Sequence, residues 1–282
     1  MTTFIYLRIF SLLLIMSAFA PAQATKPIPR NYVVLLDLSD RLLAPNQAQR
    51  DQELILSVFT RFEQAVRKNL IINSEDRFRV VIAPQGGTTY RPEEIMADLY
   101  LDMKGDVAIK RKRLDAFRLA LPARLQRLYQ QATAGKSRTS DFRGCDIWQY
   151  FNEHLEADLS ASHQNLLVVL TDGYFDFENN GHVLQRNGRY TDSHRLMNQL
   201  RQRSDWQKVL QQPQSGLLPV GKRFPPMLVW VAELRPKVDH LSELDLLKAV
   251  WTKWLNDMAV RQVKCLAWGS LPVVQAGLSQ LP

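Results

Sequence analysis

The chain has 282 residues, 46% of them hydrophobic and 23% charged, a composition that excludes a disordered chain and suits one large α/β domain. Its formal charge of +8 favours acidic partners, polyanions or anionic lipid in an encounter and says nothing of activity. There are no internal repeats or low-complexity tracts.

The chain opens with Arg8 ahead of an apolar run, Ile9 to Met16, followed by the small residues Ala20, Ala22 and Ala24. This is the layout of a secretory signal peptide with cleavage after Ala24, or alternatively after Ala20. The run is short for a bilayer span of about 20 residues and is interrupted by Ser11, and no later segment is long and apolar enough to cross. The expectation is therefore a signal peptide over 1–24, a single domain over 25–282, and a periplasmic or secreted protein with no membrane span in the mature chain. Loss of the leader removes Arg8 and no acidic residue, which lowers the formal charge from +8 to +7.

Lys26-Pro27-Ile28-Pro29 is a stiff extended lead-in, since each proline keeps its predecessor out of the helical region. Asn31 to Arg41 then reads as a buried parallel strand ending in small and charged residues. From Gln47 to Leu70, the residues Leu54, Ile55, Val58, Phe59, Phe62 and Val66 recur at helical spacing. Phe78 to Ala83 is a second strand, which makes a β-α-β unit and a parallel pair. Arg91 to Leu101 fits a strand or a short helix. Ile109 to Ala132 is a long helical pattern that Pro122 is expected to break or kink unless it opens a new helix. Asp146 is placed to cap a helix running to about Leu159.

Asn165 to Gly173 repeats the design of the first strand and also ends on a carboxylate, Asp172. Asn187-Gly188, flanked by Val183-Leu184-Gln185-Arg186 and Arg189-Tyr190-Thr191, signals a small β-hairpin, expected near the Asp172 end of the sheet. A helix over about Ser193 to Leu210, a strand over Met227 to Leu234, a helix over Leu241 to Met258 and a strand over Val263 to Trp268 complete the chain. The alternation predicts a doubly wound α/β fold of Rossmann type, with a mostly parallel central sheet and helices on both faces. In such a sheet ligands bind at the carboxyl ends of the strands, so Asp37 and Asp172 are expected to meet on one rim. Cys145 and Cys265 are read as buried free thiols, with a bridge as the alternative.

Asp37-Leu38-Ser39 followed by Thr171-Asp172-Gly173 resembles the von Willebrand factor A-type domain and its metal-ion-dependent adhesion site. The resemblance implies an α/β interaction module in which a Mg²⁺ ion, or Mn²⁺ or Ca²⁺, is held by Asp37, Ser39 and Asp172 and completed by a partner's carboxylate. Two positions depart from the pattern. Arg41 stands at the second serine, and Gly144-Cys145-Asp146 stands where the family has a Gly-Thr-Asp loop. Thr139, Asp40 and Asp146 are substitute oxygen donors, because thiolate is a poor ligand for Mg²⁺. A metal-free site, with Arg41 paired to Asp37 or Asp172, is the alternative. Arg41, Tyr174, Phe175 and Phe177 make a candidate rim for a protein partner, the three aromatics alternatively packing the hairpin onto the body. Trp148, Trp251 and Trp254 are read as core.

Other functional classes find less in the sequence. A phosphatase of the haloacid dehalogenase type, with Asp37 as nucleophile, needs a second carboxylate two residues on, and position 39 is Ser. The five histidines and Ser39 show no triad or ligand spacing, and Gly135-Lys136-Ser137 lacks the rest of a phosphate loop. A metal-dependent hydrolase is therefore the secondary reading, and no enzyme is expected. Lys110-Arg111-Lys112-Arg113 is the densest basic cluster; it reads as a solvated helix face or a polyanion site, with no nucleic-acid motif beside it.

Overall fold

The computed structural model describes residues 27–86, 90–175 and 184–282. Six strands form the central sheet in the order β3-β2-β1-β4-β7-β8. They are β1 (Arg30–Leu36), β2 (Arg77–Ile82), β3 (Tyr100–Asp102), β4 (Gln164–Leu170), β7 (Met227–Leu234) and β8 (Gln262–Ala267). All pairings are parallel except that of the short edge strand β3 with β2. Helices cover both faces, which makes this a doubly wound α/β sheet whose order reverses between β1 and β4.

The face that carries Tyr32 and Phe78 meets α1 (Gln47–Lys68) and α4 (Val107–Thr133). There Phe59, Phe62, Phe78 and Phe117 interlock, with Phe59 and Phe78 edge to face at 5.2 Å. The opposite face meets α5 and α8 (Glu243–Asp257), where Phe151, Phe175, Trp251 and Trp254 form a second cluster. Helix α5 is composite: Ile147–Gln149, a π-helical turn over Tyr150–His154, then Leu155–Asp158. Trp251 and Trp254 are core, as their helical spacing suggests, and Trp148 is half-buried, donating its Nε1–H to the Leu218 carbonyl at 2.7 Å.

Several elements differ from the sequence reading. Arg91 to Leu101 resolves into both options, the turn α3 (Pro92–Asp98) and then β3, with α2 (Leu70–Asn73) preceding β2. Pro122 neither breaks α4 nor divides it. It lies on the solvent side while Leu121, Leu125 and Leu128 hold the buried stripe, so packing outweighs the lost hydrogen bond. The helix expected over Ser193 to Leu210 is two, α6 (His194–Arg201) and α7 (Trp206–Leu210), separated where Arg203 and Asp205 pair beside the chain reversal. A final helix, α9 (Leu271–Leu278), begins with Pro272 in its first turn, a start signal that the sequence carried.

The hairpin is present as β5 (Gln185–Arg186) and β6 (Arg189–Tyr190), with positive φ at both Asn187 and Gly188, as a type I′ turn requires. Arg189 pairs with Asp257, the last residue of α8, at 2.6 Å, and the chain leaving the hairpin joins the segment after Asp172, Ser193 exchanging two hydrogen bonds with Phe175. Val183 lies outside the described residues, as does the leader. Among the described residues, no helix is long and apolar enough to cross a membrane.

Candidate functional site

Because β1 and β4 are adjacent and in register, the chain leaves both at the same level, and Asp37 N–H still donates to the Leu170 carbonyl at 3.1 Å. Asp37 and Asp172 therefore share one rim at the switch point of the sheet, as the two strand endings implied. Asp37 is buried, and both of its carboxylate oxygens are occupied: Thr171 donates its hydroxyl to Oδ2 at 2.7 Å and Ser39 its amide to Oδ1 at 3.0 Å. The Thr171 hydroxyl also accepts the Gly173 amide at 3.0 Å, which closes the turn after β4. Cys145 comes to the same place. Its sulfur accepts from Leu38 N–H and Gln85 Nε2, both at 3.1 Å, and burial together with the Asp37 carboxylate pushes its thiol pKa up. Cys145 and Cys265 are free thiols.

Arg41 does not pair with the carboxylate of Asp37 or Asp172. Buried, it turns under the rim, donating Nη1 to the Asp37 carbonyl at 3.0 Å and gripping Asp51 with both terminal nitrogens, at 2.7 and 2.9 Å. Asp51 stands on the apolar stripe of α1 and also accepts from Tyr129 and Gln47. Gln47 links it to Glu233, which Arg50 holds by a two-point ion pair. Glu233 sits at a bulge in β7 with φ of 76°, a left-handed conformation that this network holds in place. A bidentate partner on the apolar stripe of α1 outcompetes the strand tips for Arg41, because a guanidinium fork matches one carboxylate best.

The cation at Asp172 is Lys237. Its ammonium lies 3.1 Å from Asp172 Oδ2 and 3.4 Å from Asp40 Oδ1. Asp172 Oδ1 accepts the Tyr174 amide at 3.2 Å. Burial raises the Asp172 pKa to about 6; Lys237 opposes that shift and the Asp37 charge adds to it. These groups border a cleft of about 260 Å³ lined by Asp40, Arg41, Asp172, Glu233, Arg235 and Lys237.

The donor set fits a divalent cation poorly. Mg²⁺ demands near-octahedral oxygen ligands, and here the Lys237 ammonium stands at the outer oxygen of Asp172 and beside Asp40, while each Asp37 oxygen already accepts one bond from the protein. Asp146 caps α5 by accepting the Gln149 amide at 2.6 Å, Asp40 faces Lys237, and Thr139 is exposed in its own 3₁₀ turn. Ser39 is buried with its amide turned to Asp37. Among the described residues, no three acidic, histidine or cysteine side chains cluster as a metal site.

Of the two readings of Tyr174 and Phe175, a partner rim or packing onto the body, the structure shows packing. Both are buried: Phe175 packs 4.7 Å from Trp251, and the Tyr174 hydroxyl bonds Glu243 at 2.6 Å, itself clamped by Arg201. The apolar face of α8 draws them inward, while Phe177 lies outside the described residues. What the rim exposes instead are Leu43 after β1, Val238 and Leu241 after β7, and Trp268 and Val273 after β8. The guanidinium groups of Arg50 and Arg235 lie 5.2 and 4.7 Å from the Trp268 ring centre. No sequence signal singled out Lys237 or Trp268; Asp51 was legible as an acid on the apolar stripe of a helix.

The sequence matches no family model and no curated protein. Among solved structures, the chain is similar to a pilus adhesin, SpaC from Lactobacillus rhamnosus GG, in its open conformation. The likeness has a TM-score of 0.42 and 12% identity over 89% of this chain and 29% of the adhesin's, so this chain spans less than a third of its length.

Proposed function

We propose that the chain is an exported protein-interaction module, similar to von Willebrand factor A-type domains, whose rim docks a partner without a divalent ion. The observation that carries this reading is Lys237, an ammonium held between Asp172 and Asp40 on the rim whose loops also expose Leu43, Val238, Leu241 and Trp268. Exposed apolar side chains around a polar centre are the anatomy of a docking surface. The family reading is supported by the meeting of both strand tips and of Cys145, at the mid-chain position, on Asp37. Catalysis finds little support, since an aspartyl nucleophile must face its substrate and Asp37 is buried, each of its oxygens accepting a bond from the protein.

The test is a photocrosslinking amino acid placed at Leu241 or Trp268, with exposed Leu119 on α4 as the control position. A discrete adduct from the rim positions alone is expected; equal labelling from Leu119, or none from the rim, overturns the docking surface. Titration calorimetry with Mg²⁺ and Mn²⁺ is expected to give no binding heat with the wild-type chain. Heat that Asp37→Ala abolishes refutes the metal-independent form.

A further inference from the structure

The opposite end of the sheet carries a second surface that the rim does not explain. Leu70 is 65% exposed, Ile72 52%, Val107 52% and Ile109 49%, four aliphatic side chains on two adjoining turns. Lys110 ties the turns together, its buried ammonium donating to the carbonyls of Ile72 at 2.9 Å and Ser74 at 2.7 Å. Lys110 is thus spent inside the molecule, which removes it from the basic cluster read in the sequence. Of the rest of that cluster, Arg113 donates to the Lys104 carbonyl at 2.9 Å, while Arg111 and Lys112 are exposed, as are Lys68 and Lys104 on the adjoining segments. Acidic neighbours are engaged locally: Asp106 caps α4, and Asp115 faces Arg67 and Arg111.

Leu70 is set in a left-handed conformation, φ 50°, which a leucine adopts only when its surroundings impose it. Here a strained backbone holds a large apolar side chain out into solvent. The same end of the molecule receives the N-terminal segment. Arg30 opens β1 with its amide on Asp76 Oδ1 at 2.6 Å, and Asp76 is bonded by Ser74, two residues from Ile72. Ile28, in the lead-in, is also exposed.

We propose that this end of the protein, the Leu70–Ile72 turn with the first turn of α4, seats on an anionic lipid bilayer. Aliphatic side chains on convex turns enter the boundary between headgroups and acyl chains, while the surrounding lysines and arginines meet lipid phosphates. A nucleic acid or other polyanion would use the cations and gain nothing from Leu70 and Ile72, which offer no ring for stacking. This surface lies at the amino ends of the strands, so seating it on the bilayer turns the rim at their carboxyl ends away from the membrane. This inference does not rest on the function proposed for the rim.

The experiment is cosedimentation of residues 25–282, which hold every described strand and helix, with vesicles of phosphatidylcholine containing about 30 mol % phosphatidylglycerol. The full chain is run in parallel, and neutral phosphatidylcholine vesicles and heparin resin serve as the other arms. Binding to the anionic vesicles and not to the neutral ones is expected. Leu70→Ser with Ile72→Ser lowers it at least about tenfold, by the loss of two inserted aliphatic groups. Leu70→Gly keeps the fold intact, because glycine adopts the left-handed conformation without strain, and also weakens binding. Lys68→Gln with Arg111→Gln and Lys112→Gln weakens it and flattens its salt dependence. Three results overturn the proposal: no vesicle binding, vesicle binding indifferent to Leu70 and Ile72, or retention on heparin without retention on vesicles.

Discussion

Replacing Asp172 with asparagine tests whether a buried strand-end carboxylate is kept at a cost to stability. The Asp172 pKa is raised from 3.8 to about 6, chiefly by burial. An acid whose folded pKa exceeds its unfolded one binds more protons in the native state, so stability falls as pH rises from ~4 to ~6. At ~1.4 kcal/mol per unit, the penalty above pH 6 is roughly 3 kcal/mol, and it vanishes below about pH 4. Asparagine keeps the oxygen that accepts the Tyr174 amide and removes the charge. Lys237 is more than a third exposed and retains Asp40, so its loss of a partner is softened by water. Asp172→Asn is therefore expected to be more stable than wild type at neutral pH by about 1–3 kcal/mol, with the two converging near pH 4. Urea denaturation at half-unit pH steps measures both curves. Parallel curves, or a variant less stable at neutral pH, would refute the argument, because the carboxylate would then be net stabilising.

Other consequences follow from contacts at the same rim. Gly173→Ala puts a methyl group 2.6 Å from Leu234 Cδ2 at a φ of +103°, and a loss of about 2–4 kcal/mol is expected in thermal denaturation. A loss below 1 kcal/mol would mean that the turn after β4 relaxes freely. Arg41→Met strands Asp51 in the core and is expected to cost about 3–5 kcal/mol, whereas Arg41→Met with Asp51→Leu recovers most of it. Additive losses in that cycle would contradict the ion pair. Cys145, buried with a raised pKa, is expected to resist iodoacetamide in the native protein and to react on unfolding; fast native modification detected by mass spectrometry would show that the site opens.

The Asp37 strand and the Asp172 strand were legible because a buried parallel strand is a short continuous apolar run, and its polar ending marks the point where the chain leaves the sheet. The hairpin was legible because Asn-Gly satisfies a local demand for positive φ at two successive residues. Its tertiary contacts were not, since Arg189 finds Asp257 only once α8 has packed. The persistence of α4 through Pro122 shares that cause, the tertiary setting deciding against the local propensity.

The order of the main parallel strands, the doubly wound sheet and the meeting of Asp37 with Asp172 were determined by the sequence alone, because periodicity and strand endings are local properties that the parallel topology simply lines up. The tertiary structure alone decided which charge neutralises which. Arg41 chose Asp51, Lys237 reached Asp172 from a loop 65 residues away in number, and Phe175 was drawn inward rather than left on the rim. Ion pairing and side-chain burial depend on distances across the fold of a few ångströms, and no spacing along a chain encodes them.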